Sequence, residues 1–391
     1  MKNKSLLSIF LIAAGATCAA VPRTERQIIR EGYDGKRCFV HARLAMHGAR
    51  GVMTAQYLNV AGCDSFSPLQ LSLTSDSGKT WTPFVPQDAF AITSSNGIRS
   101  VCCDMTPMYH RATGRFLATG HLAQYQGDAI VPLRGDRRRR LPPYAVLDEK
   151  TGRFGPVRFL DMPDPVKFCD SGSGCSQCLE LPNGDILMPI SFYEHVDGKV
   201  QNAKAAVLRC AFDGERLAVK AIGGDIAVPD EVRGIGECSL TFHAGRYFLT
   251  IRGDKHGYVS ASDDGLNYAA PTVWKWDTGL VVPTYNTQSH WMSLDGRLYL
   301  VYTRKDGKND HVFRNRAPLY AAEVDTDHLS LRRATEWAVI PERGARLGNF
   351  GVCSPDGKTA YVMVAEWMQP KGCERYGSAN AIWLAIVRAE R

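Results

Sequence analysis

The chain is predicted to be all-β, a β-propeller of about six four-stranded antiparallel blades. Three observations lead there. Few segments carry apolar residues at helical spacing over ten positions or more. Short β-rich runs recur instead, each entered through a turn with a central glycine. Examples are Thr113-Gly114-Arg115 before Phe116–Thr119, Asn183-Gly184-Asp185 before Ile186–Ile190, Ala244-Gly245-Arg246 before Tyr247–Ile251, Asp295-Gly296-Arg297 before Leu298–Tyr302 and Asp356-Gly357-Lys358 before Ala360–Val364. Such pairs of turn and run are hairpin signals. They return roughly every sixty residues, and a repeat of that length fits one propeller blade.

Taken from the N-terminus, Lys2 and Lys4 precede the apolar run Leu6–Ala14 and then small residues up to Ala20. This order of charge, apolar run and small residues predicts a secretory signal peptide over 1–20, cleaved near Ala19 or Ala20, and leaves 21–391 as one propeller domain. Cys18 would suit a lipid anchor, but Gly15-Ala16-Thr17 before it lacks the usual leucine, so a periplasmic or extracellular protein is expected. No other apolar run approaches the ~20 residues that span a bilayer, so no membrane span is expected.

The net charge of +7 includes Arg137-Arg138-Arg139-Arg140. No aromatic residue is interleaved with these arginines and Pro142-Pro143 follows, which points to a solvated loop and away from nucleic acid. Of the twelve cysteines, Cys210, Cys238 and Cys353 sit in apolar runs and read as buried thiols. Cys169, Cys175 and Cys178 share the loop C-D-S-G-S-G-C-S-Q-C, which could hold a disulfide. A zinc site would want a fourth ligand nearby, so neither metal nor cofactor is expected.

Polar residues crowd the ends of strand-like runs between Arg233 and Arg316 more densely than a core would tolerate. The segments Arg233–Arg252, Tyr285–Trp291 and Tyr302–Leu319 therefore read as the lining of a polar pocket.

A sharper repeat marker is Thr74-Ser75-Asp76-Ser77-Gly78-Lys79-Thr80-Trp81, which fits S/T-x-D-x-G-x-T-W, the Asp-box. Ala261-Ser262-Asp263-Asp264-Gly265-Leu266-Asn267-Tyr268 is a degenerate second copy. In such a turn the aspartate accepts backbone N–H bonds, the glycine takes positive φ and the aromatic plugs the blade, so Asp76 and Asp263 are expected to be structural. With these boxes the mature chain resembles the sialidase (neuraminidase) superfamily of six-bladed propellers.

That resemblance implies a set of site residues. Arg43 in His41-Ala42-Arg43-Leu44-Ala45 corresponds to the first arginine, and Asp64, ten residues before Thr74, to the acid/base aspartate. Glu237 and Arg252 match a glutamate and an arginine that bracket a hairpin. Arg316 in Arg316-Ala317-Pro318-Leu319, with Arg314 as a near alternative, matches the third arginine. Three guanidiniums converging on one carboxylate would select an acidic sugar. The family's tyrosine nucleophile is expected near Phe350, which cannot serve, and Tyr285 and Tyr302 are possible substitutes.

Several polar residues have no counterpart in that pattern. Gln288, Arg304 and Asn309 are candidate substrate contacts, and His290 and His311 are candidate acid/base groups. Asp104, His110 and His121 come from an earlier blade, with His110 and His243 expected to be structural. Glu366 ends a strand near the C-terminus. The expected function is a secreted glycosidase acting on an acidic oligosaccharide or glycoconjugate, with exo-sialidase activity as the first specific form. A lyase or other glycosidase using a histidine base, or a non-catalytic glycan-binding propeller, are the alternatives.

Overall fold

The computed structural model describes residues 21–61, 64–127, 129–131 and 139–389. The expected leader with Cys18, and also Cys63 and Arg137-Arg138, lie outside the described residues.

Strands dominate, and the helical pieces are short 3-10 turns. The described strands form six sheets of four or more strands and one two-stranded hairpin, His195–Val196 with Lys199–Val200. In the first sheet Arg37–His47, Arg50–Asn59, Gln70–Thr74 and Val85–Pro86 follow one another up and down. The fourth repeats the plan with Gly236–His243, Arg246–Arg252, Gly257–Ser262 and Thr272–Val273. The last takes Phe350–Cys353, Thr359–Ala365 and Ile382–Arg388 from the C-terminal end. Its outer strand is Arg23–Arg30 from the other end of the chain, paired antiparallel from Arg23↔Arg388 to Arg30↔Ile382. Joining the two ends within one sheet is how a propeller closes.

The expectation of four strands throughout needs correction. The second, third and fifth sheets carry seven, five and six strands, and in the fifth Lys275–Trp276 pairs parallel with Ser330–Leu331. Two-residue strands formed by the long connections account for the excess.

Apolar side chains bind each sheet to the next. Leu117 and Tyr144 of the second sheet meet Met188 and Leu208 of the third, and Leu187 and Val207 of the third meet Leu240 and Leu249 of the fourth. The last sheet returns to the first through Met363 and Leu384 against Leu44 and Met53. A sheet covered on both faces needs apolar residues at every position of its central strand. That is why Ile186–Ile190 reads as an unbroken apolar run and lies wholly buried. Each such side chain contributes about 1.5–3 kcal/mol.

The turn at Asp76 closes on itself. Its carboxylate accepts the Thr80 backbone N–H at 2.9 Å and the Thr80 hydroxyl at 2.6 Å, Gly78 takes φ 83°, and Trp81 Nε1 donates to the Gly78 carbonyl at 3.1 Å. In the second copy the working residue is Asp264, not Asp263. Asp264 accepts the N–H groups of Leu266 and Asn267 at 2.8 and 2.7 Å, while the side chain of Asp263 is 94% exposed. Gly265 follows directly on Asp264, which shifts the turn by one position.

The ten described cysteines are all free thiols, including Cys169, Cys175 and Cys178, so that loop holds no disulfide among the described residues. Among the same residues no group of three or more His, Cys, Asp or Glu is arranged to hold a metal. Among the described residues no helix is long and apolar enough to cross a membrane.

Candidate functional site

One backbone device appears in three sheets. In the first, the pairing passes from Val40↔Gln56 to Arg43↔Thr54. In the second it passes from Cys103↔His121 to Thr106↔Thr119, and in the fourth from Gly236↔Arg252 to Ser239↔Thr250. Each step places one extra residue on the first strand, a β-bulge, which re-aims side chains. Within the bulges His41, Asp104 and Glu237 have φ of 56°, 52° and 47°. Cys175 at 62° leads into the third sheet and Asn286 at 48° leads into the fifth. Left-handed backbone at residues other than glycine costs on the order of 1–3 kcal/mol each and clusters at functional sites.

Arg43 lies beneath these bulges, 0% exposed. Its guanidinium donates to the Phe350 carbonyl at 2.5 Å, to Asp104 Oδ1 at 2.8 Å, to Cys175 Sγ at 3.2 Å and to Gln288 Oε1 at 3.4 Å. His41 Nε2 lies 3.4 Å from the same Asp104 oxygen. Burial alone would raise the Asp104 carboxyl, but His41, Arg43 and His121 outweigh it and hold it well below the ordinary carboxylate range. Arg43 is thus the charged floor of the site, both its terminal nitrogens engaged with protein groups.

Above it, Arg252 pairs with Glu237 across the hairpin that the sequence marks. Asn286 gathers the neighbouring arginines. Its side-chain oxygen accepts from Arg252 at 2.5 Å and from Arg233 at 3.3 Å, and its backbone carbonyl accepts from Arg316. Arg316 crosses Gly348 so closely that a Cβ there would fall 2.6 Å from Arg316 Cδ, so only glycine fits.

Arg316 is 6% exposed, its Nε has no hydrogen-bond partner, and no described carboxylate forms an ion pair with it. Burial, then repulsion from Arg252 and Arg346, pushes its pKa down to about 9. Arg346 is 9% exposed and lies between Trp367 and Phe313, 4.3 and 5.0 Å from their ring centres. Burial lowers it to about 10, with Asp64 the main charge working the other way. Beside Glu237 and Arg252 opens a cavity of about 200 Å³, lined also by His121, Arg140, Tyr193, Arg233 and Asp254.

The structure therefore gathers Arg43, Glu237, Arg252 and Arg316, with Arg314 exposed on the rim and near enough to depress Arg316. Asp64 is half-buried with φ 45°, near enough to His41 and Arg346 to bias both. Other expected site residues are employed elsewhere. His290 is fully buried, bonded through Nδ1 to Ser239 Oγ at 2.7 Å and packed edge-on against Phe350. Burial and Arg43 push its pKa well below that of free histidine, so it stays neutral. Gln288 is buried behind Arg43 and donates to the Gly348 carbonyl at 3.0 Å.

Arg304 makes a two-pronged contact with Glu336 at 2.8 and 2.6 Å, braced by Tyr320. Asn309 is a loop cap, donating to the carbonyls of Arg304 and Ala317. His311 is held by Glu342 at 2.8 Å against the ring of Tyr376. Glu366 is consumed by the backbone N–H groups of Ala379 and Ala381 and by Arg343. Tyr302 is fully buried on Glu336, whereas Tyr285 is half-buried and donates to Asn315. His110 is a core residue bonded to Thr113 and the Gly184 carbonyl. The sequence reading missed His41, Asn286 and Arg346. For Asn286 the available signal was an asparagine, a residue tolerant of φ > 0, in the polar stretch before a strand.

No protein-family model and no curated protein matches the chain. Solved structures do. A Dyadobacter fermentans DSM 18053 protein of unknown function matches with a TM-score of 0.63 at 15% identity, over 94% of this chain and 98% of that one. Trypanosoma rangeli sialidase matches with a TM-score of 0.59 at 15% identity, over 94% of this chain and 60% of the enzyme's. A complex of that enzyme with 2,3-difluorosialic acid, described as a covalent intermediate, gives 0.58 at 13% over 95% and 59%. Phage phi92 endosialidase gives 0.58 at 10% over 95% and 70%. This chain thus spans about three fifths of the trypanosomal chain. In fold it is a divergent sialidase-like β-propeller.

Proposed function

We propose that this chain is an exported glycoside hydrolase that acts on an acidic glycan, with α-linked sialic acid as the first substrate to test. In this reading the six larger sheets are the six blades of a closed propeller and Arg316 with Arg252 receives the substrate carboxylate. Glu237 handles the proton of the attacking group. The observation that carries the proposal is Arg316, a buried guanidinium with no ion-paired carboxylate among the described residues, an unpartnered Nε and other arginines around it. A buried cation without a counter-charge is costly, and a bound carboxylate, through charge-assisted hydrogen bonds, is the group that would relieve it.

Phe350 is fully buried with its carbonyl on Arg43, so it offers no nucleophile. A water molecule activated by Glu237 is the reading consistent with that. The same residue favours the rival reading, a propeller that binds acidic glycans without cleaving them. His290 and His311 are both committed to protein partners, which weakens the lyase alternative.

The experiment is to incubate the purified chain with sialyl-lactose and with oligouronates, identify released sugars by mass spectrometry, and measure binding in parallel. Release of sialic acid, abolished by Arg252→Ala, supports the hydrolase. Tight binding with no product, unchanged by Glu237→Gln, supports the binding protein. An unsaturated uronate product would show elimination and sink both.

A further inference from the structure

The hydrolase reading leaves open which group protonates the departing oxygen, and a loop that the reading has not used bears on this. Residues 171–175 of the C-D-S-G-S-G-C segment lie along the strand Arg115–Gln126, with the Ser173 N–H on the Gly120 carbonyl at 3.0 Å and the Cys175 N–H on the Asp104 carbonyl at 3.4 Å. Its two glycines enclose the ring of His121. A Cβ on Gly172 would fall 2.0 Å from His121 Nδ1, and one on Gly174 would fall 2.2 Å from Cδ2. Any side chain at either position would displace the imidazole. The spacing of two, with a serine between bonded to the Pro189 carbonyl at 2.8 Å, makes a slot shaped to this ring.

The slot opens on the site. His121 is half-buried and lines the cavity shared by Glu237, Arg252 and Tyr193. It is in register with Cys103, next to the bulge that turns Asp104 inward, and its charge is one of those that hold the Asp104 carboxyl low. The other histidines near the centre cannot take this part, since His41 and His290 are buried below the cavity.

We infer that His121, fixed between Gly172 and Gly174 and backed by Asp104, is the general acid of the site. Resting on the hydrolase reading, the step runs as follows. A water oxygen bonds to the anomeric carbon while Glu237 takes a water proton. The glycosidic C–O bond breaks, and the departing oxygen takes the proton of the His121 imidazolium. One water is consumed per bond, and solvent returns the proton from Glu237 to His121.

General acids matter in proportion to the basicity of the leaving group, which gives a signature that misplaced packing does not produce. His121→Gln should lose about 10²- to 10⁴-fold in kcat/KM on sialyl-lactose, yet stay within about tenfold on the 4-nitrophenyl α-sialoside, whose leaving group needs no proton. Gly172→Ala should show the same split by pushing the ring aside. Equal losses on both substrates, or undiminished activity on sialyl-lactose, would overturn the assignment to His121 and leave the hydrolase reading intact. No cleavage of either substrate by the wild-type protein would end the hydrolase reading and the assignment with it.

Discussion

Replacing Arg316 by methionine is expected to stabilise the free protein while abolishing its recognition of an acidic sugar. The guanidinium is pushed down from the ordinary arginine range to about 9, with burial as the first cause and Arg252 and Arg346 next. At about 1.36 kcal/mol per pH unit this corresponds to roughly 5 kcal/mol of penalty for keeping the charge in the folded state. The sign follows from a folded-state value below the unfolded one. The penalty is present in full at any pH below about 9 and fades only as pH rises through 9 toward the ordinary arginine range. Methionine keeps the apolar stem over Gly348 and removes the charge. Against the gain stands the loss of the donor to the Asn286 carbonyl, about 1–3 kcal/mol for a buried acceptor left alone. The net expectation is a stabilisation of about 2–4 kcal/mol in urea unfolding at pH 7, together with loss of sialic acid binding by calorimetry. Wild type should gain stability on adding sialic acid and the variant should not. If the variant is less stable than wild type, or if wild type is indifferent to acidic sugars, the reasoning from the uncompensated cation is refuted.

Asn286→Gly retains the left-handed backbone and removes the oxygen that receives Arg233 and Arg252. It should weaken acidic-sugar binding by about 10- to 100-fold, matching about 1.5–3 kcal/mol for hydrogen bonds to charged groups, with little change in urea midpoint. Asp104→Asn leaves Arg43 buried without its carboxylate, and urea unfolding should show a loss of about 3–5 kcal/mol. The Asp104 carboxyl is depressed relative to its ordinary 3.8, so its contribution is present above that pH and lost as pH falls. Acid unfolding of wild type should accordingly begin at lower pH than that of the variant. With Phe350 where a phenol would serve, 2,3-difluorosialic acid should leave no covalent adduct by intact-protein mass spectrometry. An adduct on Tyr285 or Tyr193 would restore a covalent mechanism.

What the sequence disclosed and what it concealed have physical reasons. The hairpins at Gly114, Gly184, Gly245, Gly296 and Gly357 were legible because positive φ calls for glycine, and each of these residues has it. Glu237 and Arg252 were legible because a tight hairpin brings its two open ends together. The bulges were not, since His41, Asp104 and Glu237 take the same left-handed backbone without glycine. Arg304, Asn309 and His311 looked like pocket residues because a long connection needs as many polar groups as a binding site does. In the structure Asn309 closes loop carbonyls, while Arg304 and His311 meet carboxylates. His290 misled for another reason. An imidazole in the strand His290–Leu294 can face a pocket or pack in the core, and only the position of Phe350 and Ser239 decides between them.

The most direct test of the central claim is a crystal structure of the protein soaked with sialic acid. The sugar carboxylate is predicted to lie within hydrogen-bond distance of both Arg316 and Arg252, beside Glu237. Sialic acid bound elsewhere, or with its carboxylate turned away from Arg316, would contradict the account.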